Sequence, residues 1–98
     1  MTKLQTIACI KQSQVIAIIR GLTEADILWT VPQLIAGGIR AVEVTLNTPG
    51  ALQIIKMLQK SYGSTEVAIG AGTVINKEQA EEAIAAGAQF LISPHAAL

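Results

Sequence analysis

The spacing of apolar and polar positions changes several times along the chain, and each change marks an element. Residues 2–13 place Leu4, Ile7 and Ile10 at helical intervals, with Cys9 beside the stripe and lysines outside, predicting an amphipathic helix. Residues 14–20 form a near-continuous apolar run ending in Arg20, the pattern of a strand buried on both faces of a parallel sheet. Thr23 and Asp26 make a capping-box-like start to a helix over 23–36, with Ile27, Leu28, Val31, Leu34 and Ile35 on its apolar side. Pro32 should kink that helix or confine its regular part to one side, Gly37 and Gly38 predict a left-handed cap, and Trp29 is expected to pack. Residues 41–46 then alternate as a strand, with Val42, Val44 and Leu46 on one face and Ala41, Glu43 and Thr45 on the other. Asn47 and Pro49 read as the N-cap and first position of a helix over 49–62, with Leu52, Ile55, Met57 and Leu58 inward. Residues 66–70 predict a third strand, Asn76 and Gln79 cap a helix over 77–86 that Gly87 stops, and 90–92 predict a fourth strand.

The strand centres fall near residues 17, 43, 68 and 91, a recurrence every 23 to 26 residues. One strand and one helix per repeat of that length is the period of an eightfold barrel of roughly 200–250 residues. An internal echo supports a repeat: residues 38–44 align with 87–93, an offset of 49 residues or two units. The pattern therefore predicts an α/β fold, the first four βα units of a (β/α)8 TIM barrel behind an extra N-terminal helix. On that reading residues 1–98 are the N-terminal half of the barrel. An open flavodoxin-like sheet, another phosphate-sugar barrel and a self-associating half-barrel or binding fragment without catalysis share the alternation, and stay open at this point.

Composition narrows the chemistry. Hydrophobic residues make up 51% of the chain and the formal net charge is zero, which fits a packed interior and argues against disorder. With three aromatics and no basic excess, no nucleic-acid partner is expected. The single cysteine, Cys9, allows no internal disulfide and reads as a packing residue. The sequence shows neither a leader-like apolar run near its start nor a membrane-length apolar stretch, so the expected location is the cytoplasm. A carboxylate in mid-strand stands out. Burying one unpaired is costly, so Glu43 belongs either on a wet face or in a polar cavity built to use it.

In a parallel α/β sheet, ligands gather at the C-terminal ends of the strands. Those ends here carry Arg20; then Glu43 with Thr45 and Asn47; then the segment 70–73, with Gly72 and Thr73; then Ser93, Pro94 and His95. The glycines of 70–73 suit a close backbone approach to a small ligand, and Ile75 stands where a dinucleotide fingerprint needs its third glycine. His95 is equally compatible with a ligand contact and a solvated loop, and no metal-ligand spacing surrounds it.

Four blocks occur in order: Val-Ile-Ala-Ile-Ile-Arg (15–20), Gly-Gly-Ile-Arg-Ala-Val-Glu-Val-Thr-Leu (37–46), Ile-Gly-Ala-Gly-Thr-Val (69–74) and Gly-Ala-Gln-Phe-Leu-Ile-Ser-Pro (87–94). Together they closely resemble the KDPG/KHG aldolases, the 2-keto-3-deoxy-6-phosphogluconate and 4-hydroxy-2-oxoglutarate aldolases. The resemblance implies a class I aldolase barrel, usually trimeric. Such an enzyme cleaves a 2-keto acid to pyruvate and an aldehyde through a Schiff base, with no metal or cofactor. It implies Glu43 as general acid/base, Thr73 and the backbone around Pro94 as holders of the pyruvyl part, and Arg20 as a partner for anionic groups. Asn47 stands where family members often carry arginine, which leaves carboxylate binding at that position open. The resemblance places the Schiff-base lysine on a sixth strand and the phosphate loops near the last two, outside these residues. The lysines present, Lys3, Lys11, Lys56, Lys60 and Lys77, all fall on predicted helices.

Overall fold

The alternating run around Glu43 becomes the middle strand of a parallel sheet in the computed structural model, which describes residues 1–63 and 67–94. Glu66 and His95 lie outside the described residues. The elements follow as α1 (Lys3–Ser13), β1 (Ala17–Ile19), α2 (Glu24–Ala36), β2 (Ala41–Thr45), α3 (Ala51–Tyr62), β3 (Ala68–Gly72) and α4 (Lys77–Ala85). The sheet order is β1-β2-β3, and β2 pairs with β3 along its whole length, from Ala41 opposite Ala68 to Thr45 opposite Gly72. Beyond β3, Leu91 forms a single parallel bridge with Ala71, flanked by hydrogen bonds from Ala71 N–H to Phe90 O and from Ile92 N–H to Ala71 O. The expected fourth strand is thus one bridge beside a three-stranded sheet, an arrangement consistent with a partial barrel.

Alternation sends Ile19, Val42, Val44, Ile69 and Ala71 to the helix side of the sheet. There they meet Ile27 and Val31 of α2, Ile54, Ile55 and Leu58 of α3, and Ala83 of α4. Full burial stabilises each large aliphatic by about 1.5–3 kcal/mol, so this layer dominates the fold. The echo at an offset of 49 residues is visible in the backbone. Ile39 N–H bonds Leu34 O and Gly38 N–H bonds Ile35 O; Ala88 N–H bonds Ala83 O and Gly87 N–H bonds Ile84 O. Both are Schellman closures, with Gly38 at φ +105° and Gly87 at φ +109°. Arg40 then caps α2, its Nη1 donating to Ile35 O at 2.8 Å.

Several local expectations change. α1 buries Thr6 and Cys9, whereas Leu4 is 79% exposed, because the helix meets the sheet at its N-terminal edge, where Arg40 N–H donates to Ser13 Oγ. β1 is three residues long and Ile18 is 60% exposed, because this strand forms the sheet edge and nothing among the described residues covers its second face. On α2 only Ile27 and Val31 are buried; Leu28 is exposed and Trp29, expected to pack, is 72% exposed. The helix runs unbroken through Pro32, which lies on its exposed side. Gly50, at φ +72°, takes the N-cap position of α3 that Asn47 was expected to fill, and the helix starts at Ala51. β3 reaches Gly72, two residues past the expected end, because its ladder with β2 continues and Leu46 N–H bonds Gly72 O.

Val15, Ile18, Leu91 and Ile92 are exposed beside the two outer strand positions, leaving apolar surface and backbone edges open together. The 98-residue chain is therefore expected to self-associate in light scattering. A sharp monomer with a cooperative melt would show that these edges are tolerated.

Candidate active site

Glu43 is only 4% exposed although it lies on the side of the sheet away from the helices. The register explains how. Ile18, Glu43 and Gly70 form one row across the three strands, so their side positions share a face. At Gly70 the missing side chain is replaced by the Phe90 ring, which occupies the space a Cβ would need. One row up, a Cβ on Gly72 would come within 2.6 Å of both Glu43 carboxyl oxygens. The carboxyl therefore lies over bare β3 backbone, walled by Phe90 on one side and Ile18 on the other. Any side chain at Gly72 would displace it.

Burial raises the Glu43 pKa above the ordinary glutamate range, and the Arg20 guanidinium pulls it back in part. Among the described residues no donor hydrogen-bonds the carboxyl. A partly desolvated acid with free lone pairs is suited to give and take protons.

The other sequence candidates gather at the same edge. Arg20 is exposed immediately after β1; Thr45 ends β2 and Asn47 lies exposed in the turn beyond it; Gly72 ends β3; Pro94 is exposed three residues past the Leu91 bridge. Thr73 follows β3, half-exposed, in a left-handed conformation at φ +56°. A β-branched residue pays strain there, and such strain concentrates at functional positions. Thr45 differs from the rest. It is fully buried and its hydroxyl is engaged, 3.0 Å from Thr48 Oγ1 and 3.4 Å from Ile19 O. In the sequence Thr48 stands only as part of a capping segment. The signal was a second threonine three residues after one at a strand end, able to fold its hydroxyl back.

The raised pKa carries a stability consequence. Between the ordinary glutamate pKa and the raised folded value, the folded chain holds a proton that the unfolded chain releases, so stability falls as pH rises through that window. Replacing Glu43 by Gln should remove this slope. The urea midpoint of the variant should gain on the native chain more at pH 7 than at pH 4, and an unchanged difference would mean the carboxyl is not desolvated.

Comparison with known proteins agrees with the layout. The family profile described as KDPG and KHG aldolase matches residues 6–97. The 2-dehydro-3-deoxy-phosphogluconate aldolase of Pseudoalteromonas atlantica is 50% identical over 72 residues, 70% of this chain and 33% of that protein. The KHG/KDPG aldolase of Escherichia coli K12 is 49% identical over 61 residues, 62% of this chain and 28% of that protein. Among solved structures, the Legionella pneumophila KDPG aldolase with pyruvate captured at low pH as a covalent carbinolamine superimposes with a TM-score of 0.82. It is 41% identical, and the match covers 95% of this chain and 44% of that one. The chain thus spans well under half the length of the relatives it matches. With a family profile that matches residues 6–97, nearly its whole length, the chain belongs to the KDPG and KHG aldolase family.

Proposed function

We propose that this chain forms the first four βα units of an eightfold aldolase barrel and supplies that barrel's proton-transfer group. The observation that carries the reading is the Glu43 carboxyl, 4% exposed over glycine backbone at the edge where Arg20, Asn47, Thr73 and Pro94 also lie. The reaction is cleavage of a 2-keto-3-deoxy (phospho)sugar acid or 4-hydroxy-2-oxoglutarate to pyruvate and an aldehyde. Attack of a lysine amine on the keto carbon gives a carbinolamine, and Glu43 delivers the proton with which its hydroxyl leaves as water. As a carboxylate, Glu43 then takes the proton of the C4 hydroxyl while the C3–C4 bond breaks and its electrons pass into the iminium. Arg20 and Thr73 hold the anionic and pyruvyl parts, with the backbone at Gly72 and Pro94 approaching closely. Asn47 in the turn after β2 tunes which keto acid is accepted. Thr45 serves the site from within the wall. The relatives' names support the substrate class, and the expected cytoplasmic trimer belongs to the same proposal.

The amine comes from residues outside this chain. Lys3 and Lys11 lie on α1, Lys56 and Lys60 on α3 and Lys77 on α4, all exposed on helices. A Schiff-base lysine is desolvated or set beside another cation, and a solvent-facing helix position supplies no such desolvation. Incubated with pyruvate and borohydride, the chain should show no stoichiometric adduct by mass spectrometry. A single-site adduct would place the nucleophile inside it.

The proposal itself is tested by a chimera in which this chain replaces the matching N-terminal part of the Legionella pneumophila enzyme. Aldol cleavage, read as pyruvate release, is expected, and Glu43→Gln should lower it by roughly two to four orders of magnitude. Turnover within threefold of the unsubstituted chimera would remove Glu43 from the mechanism.

A further inference from the structure

Arg20 sits one residue beyond the edge strand β1, exposed, and its guanidinium makes no hydrogen bond among the described residues. Its backbone fixes where that long side chain begins, and so which part of the sheet end it can reach. The peptide groups on both sides of Arg20 are tied to the end of β2. Gly21 N–H donates to Thr48 Oγ1 at 2.9 Å, and Thr45 Oγ1 donates to Ile19 O at 3.4 Å. The two hydroxyls lie 3.0 Å apart, both buried. The direction of each bond follows from proton counting. A carbonyl only accepts, so the one Thr45 hydroxyl proton goes to Ile19 O. The Thr48 proton is then the one shared between the hydroxyls, and the Thr48 lone pairs receive Gly21 N–H. The result is a directed run: Gly21 N–H to Thr48, Thr48 to Thr45, Thr45 to Ile19 O. Gly21, at φ +70°, provides the left-handed turn that brings its N–H onto Thr48.

We propose that Thr48 is a positioning residue: with Thr45 it clamps the backbone on both sides of Arg20 and so keeps the guanidinium at the Glu43 end of the sheet, within electrostatic reach of that carboxyl. The inference rests on the functional reading above and deepens it. The clamp places the charge that steadies a carboxylate at the site, and Arg20 is the charged group that acts on Glu43 across the sheet. A serine at the position keeps the hydroxyl; a valine keeps the shape and removes it, leaving Gly21 N–H without its acceptor and Thr45 with only its bond to Ile19 O.

The test uses the full chain and titrates the Glu43 carboxyl by carbon NMR, with amide protection of β2 and β3 as the check on folding. Arg20→Met removes the cation and should raise the Glu43 pKa. Thr48→Val should raise it in the same direction and speed exchange of the Gly21 amide roughly fivefold, as expected for the loss of one hydrogen bond. Thr48→Ser should leave both unchanged. In the Arg20→Met background, Thr48→Val should add no further shift. A native titration in a folded Thr48→Val chain, or a full additional shift without the arginine, would overturn the proposal. Should Thr48→Val unfold the sheet, Thr45→Val is read instead. If that too loses protection, the hydroxyls hold the strands rather than the arginine and the proposal fails. The titration reports where Arg20 sits whether or not Glu43 is catalytic, so its outcome is separate from that of Glu43→Gln in the chimera.

Discussion

A carboxyl group laid over bare glycine backbone is the constraint around which the sheet is arranged. Glu43 faces away from the helices, where water would ordinarily reach it, yet it is buried. Two absences on β3 make this work: no side chain at Gly72, where the carboxyl lies, and none at Gly70, where the Phe90 ring closes the wall. The rest follows from keeping that geometry. The five-residue ladder between β2 and β3 fixes which glycine meets which side chain, since a slip of one residue would turn Glu43 into the helix-side core. Val42, Val44, Ile69 and Ala71, buried against α2 and α3, make such a slip expensive.

The same economy appears in the loops. The left-handed closures at Gly38 and Gly87 recur at a distance of 49 residues, with matching hydrogen bonds. Each turns the chain from a helix into the start of the next strand or bridge, on the edge opposite the site. The helix closures thus lie at one end of the sheet and the candidate site at the other, as parallel α/β architectures allow. The polar groups at the site end are arranged in two layers. Thr45 and Thr48 are buried and bonded to backbone; Arg20, Asn47 and Pro94 are exposed around them.

Membership of the KDPG and KHG aldolase family rests on a match along residues 6–97, and the solved relative from Legionella pneumophila is more than twice as long as this chain. That proportion gives the exposed apolar residues a physical meaning. Ile18, Leu91 and Ile92 lie beside unpaired strand edges, and Leu4, Leu28 and Trp29 lie on helix faces turned away from the described core. These are surfaces with the composition of an interior.

The sequence alone was sufficient for the order of elements, for the parallel sheet and for the singling out of Glu43. Each depends on local periodicity, and a period of two or 3.6 is written into neighbouring residues. The 49-residue echo was legible for the same reason: glycine in a helix-closing position leaves a local mark. What the sequence alone misjudged was burial. Trp29, Leu4 and Ile18 are as apolar as any core residue, and only the tertiary packing decides whether something lies across from them. The capping role expected of Asn47 passed to Gly50, because Thr48 was drawn inward by a strand 27 residues earlier, through Gly21. A contact of that range leaves no periodic trace. The same holds for the Glu43 carboxyl over Gly72: the glutamate and the glycine were each visible, but their meeting depends on the register between two strands, which only the folded sheet decides.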